Sequence, residues 1–303
     1  MEHRKCAHMT EKKKRSRAQV EWLTVALIGA CYAVWVLALW VLPLWAGVPV
    51  AGLTIALHAS LQHEVIHGHP FQRTWLNDLT IWPPLTLFIP YVRYKATHLA
   101  HHHDEIITDP FDDPESNFLD ASAWEKLPWT LQAILRINNT VAGRLTLGPL
   151  IGTIAFVIGD WRDRDGAVLR GWLIHLPAVA AVLAVVVASP MPFWAYLIAA
   201  YAAMSILKLR TFLEHQAHER ASGRSVIVER GGIFAFLFLN NNLHVVHHMH
   251  PRVAWYALPA LYRSRKDHYL RRNGGYYFAS YREVIGKYLW KAKDPVPHPL
   301  WRR

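Results

Sequence analysis

His98-Leu99-Ala100-His101-His102-His103 is the stretch around which the rest of the chain is arranged. It has two counterparts, His63-Glu64-Val65-Ile66-His67 upstream and His244-Val245-Val246-His247-His248 far downstream. On a helix, residues three and four apart share one face. His98, His101 and His102 then project together, as do His63 with His67, and His244 with His247 and His248. A single H-x2-H is a weak signal, because such a pair is ordinarily solvated or satisfied in a core. Three clusters with eight imidazoles, in a chain of 19 histidines, point instead to convergence on metal.

Length and composition narrow the setting. The chain has 303 residues, enough for one or two domains. It is 52% hydrophobic with 14 tryptophans, yet carries a formal net charge of +11. These values conflict in a soluble protein and agree in a membrane protein whose cytoplasmic side is basic. Nucleic acid is the competing partner for that charge, but no recognition-helix, zinc-finger or RNA-binding signature is present, and none is expected to bind. Cys6 lies in a basic tail and Cys31 in an apolar run, so neither a disulfide framework nor a cysteine metal site can be built. Histidine must be the ligand.

Residues 1–21 read as a basic cytoplasmic tail, with Lys12-Lys13-Lys14-Arg15-Ser16-Arg17 placed to touch anionic headgroups or to stay solvated. Trp22 to Leu42 carries no charge and reaches ~30 Å as a helix, the thickness of the hydrocarbon core. A cleaved signal peptide would have a shorter apolar run, and here a second run follows at once. Pro43 to Pro49 turns the chain, and a helix from Leu44 to the first histidine pair completes a hairpin. Residues 76–92 are apolar but broken by Pro83, Pro84 and Pro90, which suits an interfacial or re-entrant segment. Residues 104–120 are acidic and loop-like, without the alternating carboxylates and glycine of a calcium loop. A solvated loop is expected there, with Asp104 or Asp109 as the candidates to orient a histidine.

Residues 124–158 are amphipathic, then apolar, and suit the membrane surface; Asp160 to Arg170 reads as a charged linker. Trp172–Ala188 and Phe193–Leu207 form a second apolar pair joined by the uncharged Ser189-Pro190-Met191-Pro192. Lys208 and Arg210 mark its exit from the membrane. Residues 231–250 are an aromatic run feeding the third cluster, and the basic, tyrosine-rich remainder suits a cap. Both hairpin turns lack Lys and Arg. By the positive-inside rule both hairpins enter from the cytoplasm, both termini are cytoplasmic, and all three clusters share that side. The expected fold is all-α: a polytopic membrane protein with four transmembrane helices in two hairpins, interfacial helices and a cytoplasmic histidine-rich cap. Its expected division is tail 1–21, membrane domain 22–262 and basic C-terminal segment 263–303.

Imidazole suits zinc, copper, iron and nickel. Structural zinc takes about four ligands, almost always including cysteine. Eight histidines are better matched to two metal ions with partly open coordination. Redox-active iron in such a pair points to O2 activation and attack on an unactivated C–H bond, and spacing alone goes no further.

The boxes His63-x3-His67, His98-x2-His101-His102 and His244-x2-His247-His248 resemble the three histidine boxes of the membrane fatty-acid desaturase/hydroxylase superfamily. Their order, their placement after paired apolar runs and the tail from His248-Met249-His250-Pro251 through Trp255-Tyr256-Ala257-Leu258-Pro259 are also similar, over residues 22–262. The resemblance implies two non-haem irons, O2 as co-substrate and a lipid chain held between the spans. It implies electrons delivered singly by a ferredoxin- or cytochrome-type partner. It also implies a ninth ligand after the fourth span, where His215 is favoured over His218. The metal set is then His63, His67, His98, His101, His102, His215, His244, His247 and His248.

Asn242 is a candidate to support the third box. His69, His103 and His250 are expected to flank the site or face solvent, and His58 to be hydrogen-bonded between spans. No His-Pro-Gly-Gly haem motif or iron–sulfur cysteine set is present, so the donor is a separate protein, and the basic face suits an acidic one. The expected activity is desaturation of the acyl chain of a lipid or acyl carrier at a bacterial inner membrane. A carotenoid ketolase or hydroxylase and an alkyl-chain hydroxylase share the boxes. Two further alternatives are an intramembrane zinc protease using His63-Glu64-x2-His67 with Glu64 as base, and a haem-binding electron carrier.

Overall fold

The structure is a computed structural model that describes residues 20–103, 105–163 and 165–301. The basic run Lys12–Arg17, Cys6 and Asp104 fall outside the described residues. An uncharged apolar run in lipid must satisfy its own backbone, which a helix does. α1 (Trp22–Trp40) and α2 (Leu44–Ile66) accordingly form a hairpin around a three-residue turn. α3 (Thr74–Ile81) and α4 (Tyr91–His101) follow, then the shorter α5 (Ala121–Glu125), α6 (Trp129–Asn138) and α7 (Val141–Thr146). α8 (Gly148–Asp163), α9 (Gly166–Ala188) and α10 (Phe193–Thr211) complete the long helices. β1 (Ile227–Arg230), α11 (Ile233–Leu237), α12 (His244–Met249), α13 (Leu258–Ser264), α14 (Lys266–Arg272), β2 (Tyr277–Ser280) and α15 (Tyr281–Tyr288) build the C-terminal third.

Among the described residues three helices, α1, α2 and α9, are long and apolar enough to cross a membrane. The fourth expected span, α10, is a helix of 19 residues but is less apolar, with Lys208 and Arg210 in its last turn. α10 packs along α2 through Ala195, Ala199, Ala200 and Ala203, all fully buried. A Cβ on Gly52 of α2 would lie 3.3 Å from the Ala199 carbonyl, so small residues set how closely the two helices approach. The other face of α10 exposes Phe193, Trp194, Ile198 and Tyr201.

Three other expectations are corrected. The chain is not purely helical, because β1 and β2 pair in parallel with Ile227 opposite Tyr277 and Val228 opposite Phe278. These β-branched and aromatic residues fit a pleated surface, and Val228 N–H donates to the Asn242 carbonyl at 2.8 Å, tying the strand to the third histidine run. Residues 160–170 are not a linker. α8 runs through Asp160, and α9 starts at Gly166 under an Asp165 cap. Asp160 is buried, accepts both Arg93 Nε and Nη2 at 3.0 and 2.8 Å, and takes the Trp172 indole N–H at 2.9 Å.

The acidic loop is not solvated throughout either: Asp109 and Asp113 are buried. The proline-broken stretch between α3 and α4 has non-helical backbone inside the bundle. Its carbonyls are satisfied there, Leu85 by the Tyr196 hydroxyl at 2.7 Å and Leu87 by His175 Nε2 at 3.0 Å.

Candidate metal centre

The first two histidine runs end helices, and the third forms one. His63 lies in the last turn of α2 with His67 as its C-cap, and α4 carries His98 and His101 with His102 as C-cap. α12 begins at His244 and carries His247 and His248. His215 follows α10 and bridges to Ser225.

Helical geometry then sorts the rings into two groups whose ring nitrogens lie within 4.8 Å of one another. One holds His63, His67, His98, His102 and His247; the other holds His101, His215, His244 and His248. In α4 the i,i+4 pair His98/His102 enters the first group while His101 crosses to the second. α12 does the reverse, with His244/His248 in the second group and His247 in the first. The two H-x2-H-H runs therefore interlock, and His102 stacks on His248 with centroids 4.2 Å apart.

Within the groups, Nε2 atoms face Nε2 atoms. In the first, His98 Nε2 lies 3.1 Å from His67 and 3.0 Å from His102, and His102 lies 3.2 Å from His247. In the second, His215 Nε2 lies 2.9 Å from His101 and 3.0 Å from His244, which is 3.1 Å from His248. The opposite nitrogens decide what these contacts are. His98 Nδ1 donates to Glu115 Oε1 at 3.0 Å, His101 Nδ1 to Asp113 Oδ1 at 2.8 Å and His244 Nδ1 to Asn241 Oδ1 at 3.1 Å.

Asn241 is fixed in that orientation because its amide donates to Glu214 Oε1 at 2.7 Å. A neutral imidazole that carries its proton on Nδ1 presents a bare lone pair at Nε2. Lone pairs converging at these distances repel unless a cation lies among them. His63 Nε2, buried without a hydrogen-bond partner, fits the same account. The residues present suit metal ions, with carboxylates and an amide aiming the imidazoles.

The electrostatics agree. Burial lowers His101, but the carboxylates of Glu115 and Asp113 outweigh it and raise its pKa to about 9. Burial alone would raise Glu115, yet His98 and His101 hold it well below the usual carboxylate range. Positive charge is thus favoured at the centre. Burial and then the neighbouring His98 and His101 push His102 down to about 3, keeping it neutral and able to donate its lone pair.

All nine histidines singled out from the sequence fall in these groups. His218 does not: its Nδ1 accepts the Arg220 N–H at 3.1 Å and its ring packs on Gly223. His103 is exposed, His250 stands against Tyr269, and His58 Nε2 meets the Tyr32 hydroxyl at 3.0 Å between α1 and α2. His69 is buried and pairs with Glu21 at 2.7 Å.

Asn242 is displaced from its expected role, since its amide donates to the Val228 carbonyl while Asn241 serves the third run. Asp109 caps its own turn through the N–H groups of Phe111 and Asp112. The orienting acids are instead Asp113, Glu115 and, through Asn241, Glu214. Glu64 accepts the Trp255 N–H at 2.9 Å, engaged away from a protease base's position.

Against this geometry, the sequence profile of the fatty acid desaturase family matches residues 39–281, from the end of α1 to the start of α15. The chain belongs to that family, and so to the membrane di-iron oxidoreductases of the desaturase/hydroxylase superfamily. Comparison with curated proteins finds no match.

Proposed function

We propose that the protein is a membrane-bound, O2-dependent di-iron desaturase that removes hydrogen from the acyl chain of a lipid or acyl carrier. The observation that carries this reading is the convergence of nine imidazole Nε2 atoms into two interlocked groups, within a chain of the desaturase family. His63, His67, His98, His102 and His247 hold one iron; His101, His215, His244 and His248 hold the other. Bound there, the two irons supply O2 reduction and hydrogen removal from an unactivated C–H bond.

The chain's own residues do the rest. Asp113, Glu115 and Asn241 hold protons at His101, His98 and His244 Nδ1, which fixes the tautomer and aims each Nε2 inward. Electrons come from a separate ferredoxin- or cytochrome-type protein on the basic face. α10 serves as a fourth span, both hairpins enter from the cytoplasm, and the site faces the cytoplasm of a bacterial inner membrane.

The test is elemental analysis of detergent-purified protein alongside mass spectrometry of lipids from expressing cells. The expected result is about two irons per chain, consistent with two metal groups, and substrate lipids lighter by two hydrogens. Lipids heavier by one oxygen select hydroxylation. A single zinc retained by His101→Ala and lost from His63→Ala overturns the proposal in favour of hydrolysis.

A further inference from the structure

The family profile ends at residue 281, and the chain goes on. After α15 it runs from Leu289 to His298 with no helix or strand of its own, laid across the acidic loop between α4 and α5. Leu119 N–H donates to the Val296 carbonyl, and His298 N–H donates back to the Leu119 carbonyl, both at 2.9 Å. Lys293 N–H is fixed in turn by the Asn139 carbonyl at 2.9 Å.

Two side chains of this strap reach the second histidine group by separate routes. Lys293, with a side chain 8% exposed, directs its ammonium at three oxygens. It donates to the His215 backbone carbonyl at 2.8 Å, to the Tyr276 hydroxyl at 3.2 Å and to Asp294 Oδ2 at 2.5 Å. Tyr276 donates onward to the Leu213 carbonyl at 2.7 Å, so ammonium and phenol together grip the backbone that presents His215.

His298 works through the loop. Its Nδ1 accepts the Leu300 N–H at 3.2 Å, which leaves the ring proton on Nε2, and Nε2 donates to the Thr108 hydroxyl at 3.2 Å. Thr108 needs such a hold. It is a β-branched residue at φ 71°, a strained backbone that persists only where the surroundings enforce it. That conformation aims the Thr108 N–H at Asp113 Oδ2, 2.8 Å away, while Asp113 Oδ1 accepts from His101 Nδ1 at 2.8 Å.

His215 and His101 are the members of the second group whose Nε2 atoms lie 2.9 Å apart. We propose that the strap of residues 293–298 positions this pair, Lys293 through the His215 backbone and His298 through Thr108 and Asp113. The affinity of the second group for its metal then depends on the strap being seated, and by linkage metal in that group holds the strap down. The first group meets the same loop at Glu115, which holds His98, and depends on the strap less. This inference rests on the reading of the second group as a metal site.

The experiment titrates the full chain in detergent with iron(II), without oxygen, against a graded chelator. Removing His63 and His67 together leaves the second group as the intact one, and removing His244 and His248 leaves the first. Direct partners of ligating histidines are worth about 10–100-fold in metal affinity, and the strap acts one contact further out, so about three- to tenfold is expected. Lys293→Met and His298→Ala each weaken iron in the intact second group by that factor and iron in the intact first group much less. His298→Gln, whose amide donates where Nε2 does, restores the loss, and Lys291→Ala, exposed beside the strap, causes none. In a Thr108→Gly background, where the hydroxyl is gone and glycine takes the positive φ freely, His298→Ala has little further effect. Iron loading slows amide exchange across residues 290–300 of the unaltered chain.

Equal weakening of both groups, no weakening of either, or exchange indifferent to iron overturns the proposal. If the unaltered chain holds no iron, the metal reading itself fails; two irons whose affinity ignores the strap remove this inference alone.

Discussion

His101 and His102 are adjacent in sequence yet belong to different groups, and that division is what makes two sites of one box. It follows from helix geometry: i and i+4 overlay, while i+3 is rotated from them. The residues gathered by the three boxes were therefore legible from spacing. Their orienting partners were not. Asp113 and Glu115 stand 12 and 17 residues from the histidines they hold, in a proline-punctuated loop with no period to betray which acids turn inward. Asn241 and Asn242 differ by one position, and only the register of β1 against residue 242 decides which faces His244. We predict that Asp113→Ala lowers iron affinity by about 10–100-fold. His218→Ala, outside both groups, leaves it unchanged. Iron retention under a graded chelator challenge measures both, and equal loss from the two variants would sink the assignment of roles.

At the scale of elements, α2 carries the first box and is held between α1 and α10. Its apolar runs announced the hairpin, because an uncharged stretch of that length has few alternatives. α8 and α9 were harder to delimit, since Asp160 looks like linker chemistry until Arg93 and Trp172 are found beside it. The α2–α10 contact depends on small residues, and Gly52 is its closest point. Gly52→Leu is predicted to lower the thermal midpoint in detergent by ~3–10 °C, from an overpacking cost of about 1–3 kcal/mol. It also lowers iron content, because α2 positions His63 and His67. Gly29→Ala, on α1 with no atom within 4 Å of its Cβ, gains helix propensity and loses nothing. Similar losses in both variants would mean that the contact between α2 and α10 does not govern the first box.

For the whole molecule, topology turns on which helices cross. The proposed topology puts the turns after Trp40 and after Ala188 on one side and the histidine-bearing ends on the other, and it requires α10 to cross beside α9. If α10 crosses, both turns lie outside the cytoplasm. In a background lacking Cys6 and Cys31, Val41→Cys and Pro190→Cys place thiols at exposed turn positions, and Arg263→Cys places one on exposed α13. A membrane-impermeant maleimide applied to spheroplasts is expected to label the first two and to reach the third only after permeabilisation. Labelling of Val41→Cys but not Pro190→Cys would put the second turn on the cytoplasmic side and deny α9 and α10 their hairpin. The reverse pattern for all three would invert the protein. Iron supply and the proposed electron donor would then have to lie outside the cell membrane, against the positive-inside expectation for the histidine-bearing side.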